Sequence, residues 1–134
     1  MRHILAAITI FATSLSLPAM AQNRPPLGQV PQVTEPLVVA AMVYEIDRVC
    51  GALNIRLLRG IGFLNGIKST ARSLGYSNAE IDAFVDDRTE KNRLEEVARS
   101  RLRERGAIPD QPETYCALGR AEISAGSEVG RLLR

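Results

Sequence analysis

The sequence predicts an all-α fold, a small bundle of about five helices tied by one disulfide. Apolar residues recur at helical spacings of three and four, and capping residues and glycines mark where helices start and stop. Two cysteines stand far apart in the chain, and no segment shows the alternating pattern of a strand. A chain of 134 residues is expected to form one such domain.

Residues 1–21 have the three parts of an export signal. Arg2 supplies a short basic region, residues 4–17 are apolar but too short to span a bilayer, and a small-x-small pattern ends at Ala21. We expect cleavage after Ala21 and a soluble periplasmic product that begins at Gln22. Because Gln22 is not a cysteine, no lipid attachment is expected there. An uncleaved membrane anchor is the alternative.

The composition of the remaining chain argues against several partners. Removing 21 of the 134 residues leaves 113, and without Arg2 the net charge of +2 falls to about +1. A net charge so close to zero does not favour the binding of nucleic acid or of an acidic substrate. Aromatic residues make up 4% of the chain and tryptophan is absent, so stacking surfaces for sugars or single strands are scarce. We expect no nucleic-acid partner.

The first helix is expected to be the centre of the bundle. Residues 22–33 contain three prolines and no apolar period, which predicts a flexible leader. The single helical domain is predicted to start at Thr34, which can cap a helix over residues 34–50. Gly51 is expected to end that helix. Since residues 37–43 are apolar all round, the other helices are expected to pack around it.

A second helix is predicted over residues 54–74, because an apolar stripe recurs there at spacings of three and four. The stripe consists of Leu57, Gly60, Leu64, Ile67, Ala71 and Leu74. We expect it to pack against the first helix, and we expect Gly75 to close the second in a left-handed conformation. Ser77 and Glu80 then form a capping box for a short third helix over residues 78–86.

Two further helices are predicted. The fourth covers residues 87–105 and has only a narrow apolar stripe, so most of its surface is expected to be solvated. The fifth runs from about Pro112 to about Ala125. Gly126 and Gly130 weaken any continuation. The sequence leaves open whether the segment from Gly126 to the end forms one more helical turn or an irregular tail.

Cys50 and Cys116 are predicted to form a structural disulfide. In an exported chain, two thiols without further metal-type ligands are expected to oxidise. The bond would join the end of the first helix to the start of the fifth. A redox pair is the alternative, but the two cysteines are not in a Cys-x-x-Cys arrangement.

The chain is expected to be non-enzymatic, with no metal and no cofactor. Its one histidine, His3, leaves with the export signal, and with it the usual general base and the commonest metal ligand. Histidine-dependent serine and cysteine catalysis is excluded, and a zinc site would need both cysteines plus carboxylates. Carboxylate catalysis at Glu45 and Asp47, or within residues 86–90, stays open beside the simpler interpretation of solvated or capping acids.

The fourth predicted helix is rich in arginine, and residues 88–105 carry an excess charge of about +3. Glutamates at helical pairing distances favour a solvated and partly self-paired face. The alternative is a docking surface for an acidic protein partner. That candidate partner surface consists of Arg99, Arg101, Arg103 and Arg105.

Three glycines mark the second helix, at Gly60, Gly62 and Gly66. Their spacing does not fit a nucleotide-binding loop, and no strand precedes them. We expect them to allow another helix to approach closely. The same region has the pattern of a basic membrane-surface helix. Because the apolar stripe is needed to cover the first helix, core packing is favoured over membrane contact.

Four stretches together resemble a known family. They are Cys50 with residues 55–59, residues 74–81, residues 115–123 and residues 126–134. From about Thr34 the chain is similar to a family of small exported alphaproteobacterial proteins catalogued as domain of unknown function 5333. The resemblance implies that both cysteines and the C-terminal segment belong to the design of the domain. It implies no activity, substrate or cofactor.

These observations together predict a non-enzymatic periplasmic protein-interaction module. Its contact surface is expected to be the arginine-rich fourth helix or the segment from Gly126 onward. A periplasmic chaperone-like protein is the alternative, since such proteins are also helical with one disulfide, and a carboxylate-dependent hydrolase is the third candidate.

Overall fold

The computed structural model describes residues 23–134, and the predicted export signal lies outside them. Within this range the chain forms a 3₁₀ helix at Leu27–Gln29 and six α-helices. The helices are α1 Pro31–Cys50, α2 Leu57–Ser73, α3 Asn78–Asp86, α4 Arg88–Glu104, α5 Pro112–Ala125 and α6 Glu128–Arg131. The all-α prediction is confirmed, and the short α6 adds one helix to the five expected.

Helix α1 lies at the centre of the bundle, as its apolar sequence indicated. The 3₁₀ helix and helices α2, α4, α5 and α6 all pack against it. Val38, Met42 and Ile46 are almost completely buried, and their four-residue spacing places them in one line along the helix. Gly51 ends α1 in the left-handed conformation, with φ of 67°.

The segment before α1 is packed, which corrects the predicted flexible leader. Leu27 and Val30 are buried, as is Val33 in the first turn of α1. The helix begins at Pro31 rather than at Thr34. Thr34 does not cap the helix, because its hydroxyl donates to the carbonyl oxygen of Val30 at 3.2 Å. Pro31, one of the three prolines that indicated a loop, stands instead at the start of α1, where a missing N–H costs nothing.

Two apolar clusters hold the helices together. The larger joins α1 to α4, α5 and the C-terminal segment, and its most deeply buried members include Ile46, Leu102 and Leu133. The smaller joins the N-terminal segment to α2 and α3. It consists of Leu27, Val30, Val33, Ile67, Ala71, Tyr76 and Ile81. The C-terminal segment is therefore part of the core, and it is helical over Glu128–Arg131.

The predicted capping sites are confirmed where their signals are local. The Ser77 hydroxyl accepts from the Glu80 N–H at 3.2 Å, and the Glu80 carboxylate accepts from the Ser77 N–H at 2.7 Å. The Asp87 carboxylate accepts from the Thr89 N–H at 2.8 Å and starts α4. These bonds satisfy N–H groups that the first helical turn leaves without partners.

Helix α2 differs from its prediction in two ways. Of the expected buried stripe, only Ile67 and Ala71 are buried. No other helix packs closely against Gly62 or Gly66 within the described residues, since a side-chain carbon added at either would meet nothing within 4 Å. The helix also begins at Leu57 instead of residue 54, because the preceding residues pair their backbone with the end of the chain.

The predicted disulfide is present between Cys50 and Cys116, whose Cα atoms lie 5.0 Å apart. It links the last residue of α1 to the second turn of α5. The bond closes a long loop, with a sequence separation of 66. It therefore links the central helix covalently to a helix that is distant in the sequence.

Candidate interaction surfaces

The arginines of the predicted partner surface on α4 are engaged by carboxylates of the same chain. Arg99 Nε lies 3.1 Å from the Glu96 carboxylate, and an Arg103 nitrogen lies 2.9 Å from it. Hydrogen bonds from Arg103 and then Arg99 lower the pKa of Glu96, so that its carboxylate remains ionised between them. This arrangement favours the self-paired interpretation of the α4 surface.

The other two arginines of this set tie α4 to neighbouring helices. Arg101 donates two hydrogen bonds to the Glu35 carboxylate on α1, at 2.7 and 3.0 Å. Arg105 lies 2.8 Å from the Glu122 carboxylate on α5. Because a two-pronged guanidinium–carboxylate pair fixes orientation, Arg101 helps to position α4 on α1. An acidic partner would have to compete with these internal carboxylates.

We expect Glu35→Gln to weaken the α1–α4 contact at neutral pH but not in acid. The hydrogen bond from Arg101 lowers the pKa of the Glu35 carboxyl below its ordinary value. A depressed folded-state pKa gives stability above the unfolded pKa that is lost as the pH falls through the folded value. The loss in the free energy of unfolding at pH 7 is expected to stay below about 1 kcal/mol, because the pair is exposed.

Urea unfolding of wild type and the Glu35 variant at pH 7 and at roughly pH 3 checks this expectation. Asp82→Asn is the control, since Asp82 is exposed and forms no ion pair within the described part of the chain. A difference between wild type and Glu35→Gln that persists unchanged in acid would contradict the ion-pair explanation.

The carboxylates considered for catalysis on α1 have structural partners. Glu45 is buried, and its carboxylate accepts hydrogen bonds from Arg48 at 2.7 and 3.2 Å. Asp47 accepts from the Ile55 N–H at 3.0 Å, which fixes the turn that follows α1. Within residues 23–134, no three residues among His, Cys, Asp and Glu are grouped closely enough to hold a metal ion.

An apolar groove of about 270 Å³ lies between α1, α3 and α4. Its lining consists of Leu37, Ala41, Tyr44, Phe84, Val85, Glu90, Lys91, Leu94 and Glu95. Two of its apolar side chains, Tyr44 and Val85, keep 53% and 52% of their surface exposed. The charged members are already paired, since Lys91 Nζ lies 3.9 Å from Glu95. We call this site the α1–α3–α4 groove.

A second hollow has both polar and apolar lining and lies between the N-terminal segment, α3 and α4. The Arg24 guanidinium lies 4.7 Å from the centre of the Tyr76 ring and 3.5 Å from the Glu80 carboxylate. Arg93 donates to the carbonyl oxygen of Gly28 at 3.0 Å. These contacts hold residues 24–28 against α3 and α4, so the charged groups of this hollow have a structural role.

Sequence reasoning missed an exposed apolar surface on the first half of α2. We call it the apolar α2 face, and it comprises Leu57, Leu58, Ile61 and Leu64. These side chains keep 68%, 83%, 49% and 44% of their surface exposed, respectively. Contiguous exposed apolar side chains on a small protein mark a site of contact. The signal that could have indicated it is the absence of any acidic residue from Gly51 to Ala79.

The fold and these surfaces define a disulfide-tied, all-helical domain with two exposed apolar sites. The chain belongs to the family described as "Family of unknown function (DUF5333)", whose model matches residues 25–134. The match confirms the resemblance and begins earlier than Thr34, so it includes the packed segment before α1. Comparisons with curated proteins and with solved structures found no match.

Proposed function

We propose that the chain is a non-enzymatic periplasmic protein-interaction module whose α1–α3–α4 groove binds an apolar side chain of a partner protein. The observation that carries the proposal is the groove itself, whose apolar walls Tyr44 and Val85 are half exposed in the folded chain. Protein interfaces concentrate their binding energy where an anchor side chain fills such a pocket.

The size and lining of the groove suit a side chain better than a cofactor. Its volume of about 270 Å³ lies below the range of roughly 300–1,000 Å³ that is usual for small-molecule sites. Small-molecule sites also need convergent polar groups to orient the ligand. Here Lys91 pairs with Glu95, and Glu90 pairs with Arg93 at 2.7 Å.

The walls of the groove are held by interactions outside it. The two hydrogen bonds from Arg101 to the Glu35 carboxylate fix α4 on α1, and the Ser77–Glu80 capping box fixes the start of α3. A site that is already in its binding conformation loses less conformational entropy when a partner binds. The groove is therefore suited to recognise one apolar anchor.

Two observations support the rest of the proposal. A disulfide persists in oxidising compartments, so the Cys50–Cys116 bond supports the periplasmic location indicated by residues 1–21. The structural partners of Glu45 and Asp47 support a role without catalysis. A carboxylate-dependent hydrolase remains the third candidate, and turnover abolished by Glu45→Gln in a still-folded variant would support it.

Site-specific crosslinking in cells tests the groove. A photo-reactive phenylalanine at position 44 is expected to capture one discrete protein, and Val85→Lys in the same chain is expected to abolish that product. The matched control places the same group at Ile108, whose exposure of 46% is close to that of Tyr44. Identical products from both positions, or a product that survives Val85→Lys, would count against the proposal.

The alternative, a periplasmic chaperone-like protein, is favoured by the apolar α2 face. Unfolded clients are bound through exposed apolar surface, and Leu57 and Leu58 supply it. This role predicts that the purified protein suppresses aggregation of a client at low pH and that Leu58→Ser reduces the suppression. A protein without effect on client aggregation would exclude it.

A further inference from the structure

We propose that α2 binds the surface of an anionic lipid bilayer, with the apolar α2 face inserted at the level of the headgroups. The proposal concerns a different surface from the α1–α3–α4 groove and stands independently of it. Four observations carry it: the exposure of the apolar face, the charge of α2, the order of residues along the helix, and the absence of a covering element.

The core does not need the apolar α2 face. Membrane contact was disfavoured on the expectation that the stripe through Leu57 and Leu64 covers α1. In the structure α2 covers its neighbours with Ile67 and Ala71, while Phe63 is partly buried against both apolar clusters. Leu57 and Leu64 stay exposed. Their apolar surface is thus left free for contact outside the domain.

The charge of α2 complements an anionic surface. The region from Gly51 to Ala79 contains four basic residues and no acidic one. The basic residues are Arg56, Arg59, Lys68 and Arg72. None of them takes part in an ion pair within residues 23–134. Their charge is therefore not neutralised by carboxylates of the domain, in contrast to Arg99, Arg101 and Arg103 of α4.

Two of these arginines are positioned by the fold while they keep their charge. Arg56 Nε donates to the carbonyl oxygen of Leu133 at 2.8 Å, and Arg59 donates to the carbonyl oxygen of Arg131 at 3.2 Å. Backbone carbonyls hold a guanidinium in place without cancelling its positive charge. The start of α2 therefore presents a fixed basic group beside the exposed leucines.

The order of residues along α2 suits a helix whose first turns insert at the level of the headgroups while its last turn meets their charge. Leu57, Ile61, Leu64, Lys68 and Arg72 follow one another at spacings of four, three, four and four. These spacings place all five side chains on one side of the helix, apolar in the first turns and basic in the last. Lysine and arginine stems can extend from an inserted face to the headgroups.

Within residues 23–134, nothing covers the outer side of α2 at Gly62 and Gly66. An added side-chain carbon at Gly62 or at Gly66 would meet no atom within 4 Å, so the helix backbone is open to a close approach there. No helix within residues 23–134 is long and apolar enough to cross a bilayer. Contact at the surface, through an apolar face combined with basic residues, is the mode that fits α2.

Anionic lipid fits this surface better than a second copy of the chain. Two copies that met through α2 would bring two sets of four unneutralised basic residues together, which is unfavourable. A bilayer with anionic headgroups offers apolar depth and negative charge at once. Both contributions are needed for stable surface binding, since a single weak anchor binds only marginally.

Vesicle flotation with the oxidised protein tests the proposal. We expect binding to vesicles that contain phosphatidylglycerol, little binding to vesicles of phosphatidylcholine alone, and a loss of binding as salt is raised. Leu57→Ser with Leu58→Ser is expected to weaken binding about tenfold or more, as is Lys68→Gln with Arg72→Gln. Because all four side chains lie at the surface, the fold is expected to survive, which circular dichroism checks.

The matched controls are Ile108→Ser for the apolar change and Arg120→Gln for the loss of charge. Both residues are exposed and do not belong to α2, so their variants are expected to bind as wild type does. No binding of wild type to anionic vesicles would overturn the proposal, as would equal losses in the controls. Crosslinking from position 44 tests the α1–α3–α4 groove, whereas flotation tests α2. The two experiments can therefore fail independently.

Discussion

Replacing both cysteines, Cys50→Ser with Cys116→Ser, is expected to lower the free energy of unfolding by about 4 kcal/mol. The disulfide closes a loop with a sequence separation of 66, and its removal returns the corresponding chain entropy to the unfolded state. A domain of this size has a total stability of roughly 5–15 kcal/mol. The loss would therefore be a large part of the whole.

Urea unfolding of the oxidised wild type and the double variant measures this loss. Wild type treated with a thiol reductant is the control, since it removes the same bond without changing a side chain, and it should unfold at the same urea concentration as the double variant. The dependence of the unfolding free energy on urea should also rise, because the unfolded chain expands when the loop opens. A loss below about 1 kcal/mol would show that packing alone holds α5 on α1.

The expected loss also connects stability to the site of folding. If the chain is exported, as residues 1–21 indicate, oxidation takes place after transport and the reduced form in the cytoplasm is less stable. A reduced chain of marginal stability unfolds readily, which suits transport, and the bond between Cys50 and Cys116 then stabilises the folded domain. The low aromatic content of 4% gives the core few large side chains, which increases the share of stability that the covalent bond must supply.

Helix ends were predictable where their signals are local in sequence. The capping box of Ser77 and Glu80 needs only residues three apart, and it is present as predicted. Gly51 and Gly75 both have positive φ at or just beyond the helix ends they were expected to close. These features depend on the conformations of a few neighbouring residues, so distant parts of the chain do not change them.

Helix starts that depend on distant contacts were not predictable. Helix α2 begins at Leu57 because Asn54 and Arg56 are engaged elsewhere. The N–H of Asn54 donates to the carbonyl oxygen of Arg134 at 2.9 Å, and the N–H of Arg56 donates to that of Leu132 at 2.8 Å. No local pattern around residue 54 reveals a partner almost eighty residues away.

The exposed face of α2 was missed for a related reason. Apolar residues occupy two sides of α2, with Phe63 and Ile67 on one and Leu57 and Leu64 on the other. Periodicity shows that a helix has an apolar side, but it does not show which of two sides meets the core. Residues 27–33, which had been assigned to a leader, supply the buried Leu27, Val30 and Val33 to the cluster that contains Ile67, and this packing decides which side of α2 meets the core.

Close packing at glycine also occurs, but on other helices than predicted. A side-chain carbon at Gly119 would overlap Leu53, and one at Gly130 would overlap the backbone carbonyl of Glu122. Which glycine lies against another helix is decided by tertiary packing. The spacing between Gly60 and Gly66 could not show whether another helix packs against them, because spacing describes only the helix that contains them.

Gly130→Ala is accordingly expected to lower the free energy of unfolding by about 3 kcal/mol. The added carbon would overlap the Glu122 carbonyl group, which belongs to the backbone of α5 and cannot rotate away. Helix α6 must then move outward and loosen its buried neighbours Val129 and Leu133. Thermal and urea unfolding of the variant measure the loss.

The matched control is Gly66→Ala, the same substitution in another helix. Its added carbon meets nothing within 4 Å, and alanine favours a helix over glycine by about 1 kcal/mol, so this variant should be more stable than wild type. The two substitutions are thus expected to change stability in opposite directions. A stable Gly130→Ala variant would mean that α6 is not packed on α5. The Arg56 N–H donates to the carbonyl oxygen of Leu132 just after α6. Displacement of α6 would therefore also release Arg56 beside the apolar α2 face.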